Sequence, residues 1–159
     1  MANQYRLAST LNELVTTSNL INKDKSPVKA EDALKNKVKA IYFSASWCTS
    51  CQKFTPKLKR FYEAVNKDNK ELEVVWVSLD RTEEDQVEYF KKMGPWVCME
   101  YNKYDAVMLQ KELGIKTIPY LIVVKDDGTV VVDDGRMKID SEGIDHPTEL
   151  FKKWKALSE

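Results

Sequence analysis

The sequence predicts an α/β domain with a mixed central sheet and helices on both faces. Three observations carry that expectation. Short apolar runs rich in β-formers alternate with stretches of helical periodicity, which makes the early strands parallel. Two later runs are joined by KDDG, an Asp-Gly turn that makes the closing strands antiparallel. Two cysteines three residues apart, Cys48 and Cys51, sit at one strand-to-helix junction.

Taken in order, Thr10-x-x-Glu13 reads as a capping box for a short helix carrying Leu11, Leu14 and Val15. SNLINKDKSPVK then reads as turn and edge structure, and Ala30 to Leu34 as one or two helical turns. VKAIYFSA from Val38 is a buried strand. Phe54, Leu58, Phe61, Tyr62 and Val65 share one face of a helix from about Thr49 to Asn66, with a kink expected at Pro56. ELEVVWVSL is a second buried strand. A helix follows over Glu83–Met93, with Val87 and Phe90 inward and Gly94-Pro95 ending it. The next helix starts at Asp105 and stops at Gly114. YLIVV and TVVV form the hairpin, and the last helix, from Pro147 to about Leu157, carries Leu150, Phe151, Trp154 and Leu157 on one face. The chain thus divides into an N-terminal extension, 1–37, and a core, 38–159, within a single domain.

Composition narrows the function. Among 159 residues, 43% are hydrophobic and 31% charged, the profile of an ordinary globular protein. Lys plus Arg and Asp plus Glu both number 25, so no basic excess points to nucleic acid or an anionic membrane. No apolar run reaches signal-peptide or membrane-span length. The chain is therefore expected in the cytoplasm, with the nucleus also open to it, as a monomer. Three cysteines are too few and odd in number for a secreted disulfide framework.

A redox couple, half of a metal site and two idle thiols are the alternatives for Cys48 and Cys51. Structural zinc wants four ligands, and Cys98 and His146 lack a matching spacing, so no metal is expected. In a reducing compartment a close pair at the start of a helix favours redox chemistry. Free N–H groups and the helix dipole gather there and favour a thiolate at Cys48. Cys48, on the outer end, attacks a partner disulfide, and Cys51 resolves the mixed disulfide. Trp47 offers partners a flat apolar surface. Thr117-Ile118-Pro119 precedes a strand; a cis Ile118–Pro119 bond would expose the Ile118 backbone to an extended substrate. Cys98 reads as a small buried apolar residue, and His146 as a surface or capping residue. Asp80 reads equally as a site neighbour or a loop residue.

These residues resemble the thioredoxin superfamily: WCxxC at a strand-to-helix junction, Pro56 five residues later, and Ile-Pro before a hairpin. SASWC with FTPKL-x-x-FY, VVWVSLD and Met-Gly-Pro-Trp is similar to its tryparedoxin and nucleoredoxin branch. AEDALKNKVKAIYFSASW and GRMKI carry the likeness furthest toward the nucleoredoxin-like proteins. The resemblance implies a thioredoxin fold, a cis peptide before Pro119, and thiol–disulfide oxidoreductase activity of the disulfide-reductase type. Cys48 and Cys51 would be catalytic, with Trp47, Thr49, Ser50, Ile118 and Pro119 binding substrate. It implies disulfide-containing protein substrates, a small thiol or a reductase enzyme as electron donor, and no cofactor. A redox-sensitive binding or signalling module with little turnover is the alternative. Three departures stand out. Tyr42 replaces the buried acid usual six residues before the nucleophile. Thr49-Ser50 replaces Pro-Pro, and Leu79-Asp80-Arg81 replaces Trp-Asp-Glu.

Overall fold

The computed structural model describes residues 11–159. Thr10, half of the expected capping box, lies outside them. Helix α1 (Leu11–Thr16) buries Leu11, Leu14 and Val15. Strands β1 (Asn19–Ile21) and β2 (Pro27–Lys29) form an antiparallel hairpin, followed by α2 (Ala30–Leu34). Strand β3 (Val38–Ser44) leads into α3 (Thr49–Val65), and β4 (Leu72–Ser78) into α4 (Glu83–Phe90). Strand β5 (Val97–Met99), α5 (Lys103–Glu112), β6 (Tyr120–Val124) and β7 (Val130–Val132) come next. Helix α6 (Gly135–Lys138) runs into a π-helical turn over Ile139–Gly143, and α7 (Pro147–Ser158) closes the chain.

Among the described residues the sheet has seven strands in the order β2-β1-β5-β4-β3-β6-β7. The pairs β3–β4 and β4–β5 are parallel, whereas β6 runs antiparallel to both β3 and β7. Helices cover both faces, as the sequence predicts. Every residue of β3 and β4 is buried, which is why both strands read as near-continuous apolar runs. On one face Ala40, Tyr42, Val74 and Trp76 pack with α3, α4 and α7. On the other Ile41, Phe43, Val75 and Val77 pack with α1, α2 and α5. The β1–β2 hairpin extends this same sheet through β5. Gly128, in the β6–β7 turn at φ +92°, sits against α1 so closely that a Cβ there would lie 2.8 Å from the Asn12 nitrogen.

Several boundaries differ from the sequence expectations. Helix α4 ends at Phe90 because Lys92 and Met93 donate to carbonyls three residues back, tightening the last turn. Its buried residues are Gln86, Tyr89 and Phe90, with Val87 only half-buried. Helix α5 starts before Asp105: Asn102 is the cap, its side-chain oxygen accepting the Asp105 N–H at 3.0 Å. Helix α3, by contrast, keeps Pro56 in its interior over Thr49–Val65, as the sequence predicts. Leu157 is 50% exposed, one turn beyond where α7 meets the core. The sequence order also missed β5, and the α6 to π-turn unit beneath GRMKI.

Candidate functional site

The loop after β3 delivers Ser46, Trp47 and Cys48 to the start of α3. Cys48 occupies the cap position that Ser or Asp usually fills. Its carbonyl accepts the Gln52 N–H at 3.1 Å, and its Sγ accepts the Cys51 N–H at 3.2 Å. The sulfur thus lies on the free N–H groups of the first turn, where the helix field favours negative charge. Cys51 lies one turn in, fully buried. Burial pushes its thiol well up, and the neighbouring Cys48 adds to that, while the Arg136 charge acts the other way. Both residues are buried, but not equally: Cys48 retains 8% exposure, Cys51 none. Of the two, Cys48 lies nearer the surface.

Around them, Trp47 is 51% exposed, pinned by its indole N–H donating to the Leu79 carbonyl at 3.3 Å. The Ile118–Pro119 peptide is cis, and the Ile118 carbonyl accepts from Cys48 Sγ at 3.7 Å. Thr49 and Ser50 are exposed, and no hydrogen bond joins either hydroxyl to a sulfur among the described residues. The structure therefore brings Trp47, Cys48, Cys51 and Ile118 into one patch, with Thr49 and Ser50 on its outer edge. Cys98 lies elsewhere, buried on β5, where burial pushes its thiol up to about 12. Its sulfur accepts the Gln86 amide at 3.6 Å. His146 is at the surface, 3.7 Å from Glu149.

Sequence reasoning left Asp80 undecided, and the geometry assigns it an anchoring position. It is 1% exposed. One carboxylate oxygen accepts the Ser46 N–H at 2.8 Å and the Ser46 hydroxyl; the other accepts Ser78 Oγ at 2.7 Å. The Tyr101 hydroxyl donates to the Asp80 carbonyl at 3.3 Å, and the Gln52 amide to the Ser46 carbonyl at 2.6 Å. Ser78-x-Asp80 at a strand end, a side chain bonding two residues along, was the local signal that could have marked it.

Beneath Cys51 the packing is polar but neutral. The Tyr42 hydroxyl is 2.8 Å from Thr55 Oγ1, which is 3.0 Å from the Tyr89 hydroxyl. Burial pushes Tyr42 well up, and burial pushes Tyr89 up to about 12. Tyr42, at the position of the usual buried acid, therefore keeps its proton and supplies no base. Among the described residues no group of three His, Cys, Asp or Glu side chains could hold a metal ion. No helix among them is long and apolar enough to cross a membrane.

A mixed sheet that ends one strand in a capped CxxC helix, beside a cis-proline loop, is the thioredoxin fold with a dithiol at its customary junction. The chain belongs to the thioredoxin-like family, whose pattern matches residues 36–130, and it falls on the tryparedoxin and nucleoredoxin side of that family. It is 37% identical to the tryparedoxin of Trypanosoma brucei brucei, over 72% of this chain and 81% of that protein. It is 32% identical to probable nucleoredoxin 1 of Arabidopsis thaliana over 87% of this chain. There it spans only 24% of the larger protein. Among solved structures, the thioredoxin of Wuchereria bancrofti superposes with a TM-score of 0.74 at 38% identity, covering 89% of this chain and 96% of that one.

Proposed function

We propose that the chain is a thiol–disulfide oxidoreductase of the protein-disulfide reductase type, working in the cytoplasm and open to the nucleus. The observation that carries this reading is the unequal dithiol: Cys48, the cap of α3, keeps slight exposure, and the fully buried Cys51 directs its N–H to the Cys48 sulfur at 3.2 Å. In the first step the Cys48 thiolate attacks a substrate disulfide. A Cys48–substrate S–S bond forms, the substrate's own S–S bond breaks, and one substrate sulfur leaves as thiolate and takes a proton. In the second step Cys51 loses its proton and attacks Cys48 Sγ. The Cys48–Cys51 disulfide forms and the second substrate thiol leaves, so two electrons and two protons have passed to the substrate. A dithiol reductant, small thiol or enzyme, restores the pair.

Burial of Cys51 fits the order of these steps. Its thiol stays protonated and out of reach until the mixed disulfide forms, which limits side reactions with solvent oxidants. Trp47 and the Ile118 backbone would line the docking surface, with Thr49 and Ser50 at its edge and the buried Pro119 supporting Ile118 from behind.

A Cys51→Ser chain incubated with insulin tests this. It should accumulate a covalent complex through Cys48 that a Cys48→Ser chain never forms. No covalent capture, or insulin reduction by Cys48→Ser at the wild-type rate, overturns the reading. A reduction potential for Cys48–Cys51 below the cytosolic glutathione poise of about −220 to −260 mV would accord with a net donor.

A further inference from the structure

Beside the dithiol a groove of about 220 Å3 runs between Trp47 and α5. Leu79, Val107 and Ile118 form its apolar wall, and Lys103 and Lys116 stand on its rim, with no carboxylate among the residues that line it. Among the described residues neither lysine has a carboxylate partner within ion-pair distance. A third cation lies close by, the Arg81 guanidinium 5.5 Å from the centre of the Trp47 ring. The Asp80 carboxylate, next along the chain, is turned inward onto Ser46 and Ser78 and does not face the groove. Asp105 on α5 is half-buried, and burial alone shifts its carboxyl, upward, with no cation offsetting it. Asp133 and Asp134 act on Tyr120, beyond Pro119. The net result is a positive rim on an apolar slot, in a chain whose formal charge is zero.

We propose that this groove selects protein disulfides whose cysteine is flanked by acidic side chains in an extended segment. The inference rests on the reductase reading above. In an extended strand the residue two positions from the cysteine lies about 7 Å along and on the same face. Its carboxylate would then meet the lysine tips while its methylene groups lie on the apolar wall. Charge complementarity of this kind acts through encounter and orientation, and salt screens it.

Three synthetic peptides, each closed by one disulfide and differing only in Glu, Ser or Lys two residues either side of the cysteine, test it. In about 0.01 M salt the Glu peptide should exceed the Lys peptide about tenfold in kcat/KM, the combined effect of two or three rim pairs. In about 1 M salt, where the screening length falls to about 3 Å, the ratio should approach one. Lys103→Gln/Lys116→Gln should bring the low-salt ratio toward one, and Lys103→Glu/Lys116→Glu should invert it. Equal low-salt rates, or a preference that survives both double variants, would overturn the inference and leave the reductase reading standing. Reduction of none of the peptides nor of insulin would overturn both. Glutathione disulfide reduced as fast as the Glu peptide would show that a bare carboxylate suffices, which overturns docking of an extended protein segment.

Discussion

Replacing Asp80 by Ala separates a carboxylate that organises the dithiol loop from one that is merely buried near it. The side chain receives the Ser46 N–H at 2.8 Å, Ser78 Oγ at 2.7 Å, and the Ser46 hydroxyl. Hydrogen bonds to a charged group contribute about 1.5–3 kcal/mol each. Ser46 is half-buried, so water replaces part of what it loses, whereas the buried Ser78 hydroxyl loses its acceptor and keeps only the backbone N–H of residue 80, which it accepts at 3.0 Å. Removing a buried charge also relieves its desolvation cost. The net destabilisation comes to about 3 kcal/mol. With a urea dependence of about 2 kcal/mol per molar, the unfolding midpoint should fall by about 1.5 M, read from tryptophan fluorescence. Because Ser46 lies two residues before Cys48, the same variant should slow Cys48 attack on a disulfide by about tenfold or more in single turnover. A midpoint shift below about 0.3 M, within the error of such extrapolations, would refute the energetic argument. An unchanged attack rate in a folded variant would refute the positioning argument.

Cys98, its thiol pushed up to about 12 by burial, should resist iodoacetamide at pH 8 and react only on unfolding, read by mass; labelling at the rate of a free thiol would show that β5 opens. Burial raises the Glu73 carboxyl, against the Lys70 ion pair at 2.8 Å. A raised acid pKa means the folded state holds the proton longer than the unfolded one, so the ionised carboxylate costs stability as pH rises from about 4.3 through the folded value. Glu73→Gln should therefore gain on the wild type as pH rises above about 4.3 in urea titrations, and a constant difference would argue against it. Tyr42→Phe removes the hydroxyl bonded to Thr55 and should cost about 1 kcal/mol, a fall of roughly 2–4 °C in Tm. Since Tyr42 stays protonated, the pH profile of product release should keep its apparent pKa in that variant, and a displaced profile would mean the phenol exchanges protons with Cys51.

Local chemistry made much of the fold readable. Helix α3 announces itself through Phe54, Leu58, Phe61 and Tyr62 at helical spacing, because all four meet the same sheet face. Strands β3 and β4 read as unbroken apolar runs because helices cover both faces. Strand β5 was missed because the three residues Val97–Met99 carry no period of their own; they become a strand only by pairing with β4 and β1. The Gly135–Gly143 stretch lacks an apolar stripe, and its place follows from Gly135 pressing on β6, where a Cβ would lie 2.8 Å from the Leu121 carbonyl oxygen. Leu157 matched the helical face by spacing, yet α7 outruns the core it covers.

The dithiol was legible because its signal is entirely local: two cysteines one turn apart at a strand-to-helix junction put the first sulfur at the free N–H groups of the helix and the second one turn further in. Local sequence therefore marked Cys48 and Cys51 as the candidate redox pair and placed them at the start of α3. It could not determine that packing encloses Cys51 completely, nor that Asp80 ties down Ser46 across 34 positions of chain. Nor could it show that Lys103 and Lys116 converge on one slot with Trp47. Those outcomes depend on burial, and burial belongs to the packing of distant elements: the helix–sheet interface closes over Cys51, while the loops at the strand ends leave Trp47 and the lysines in water.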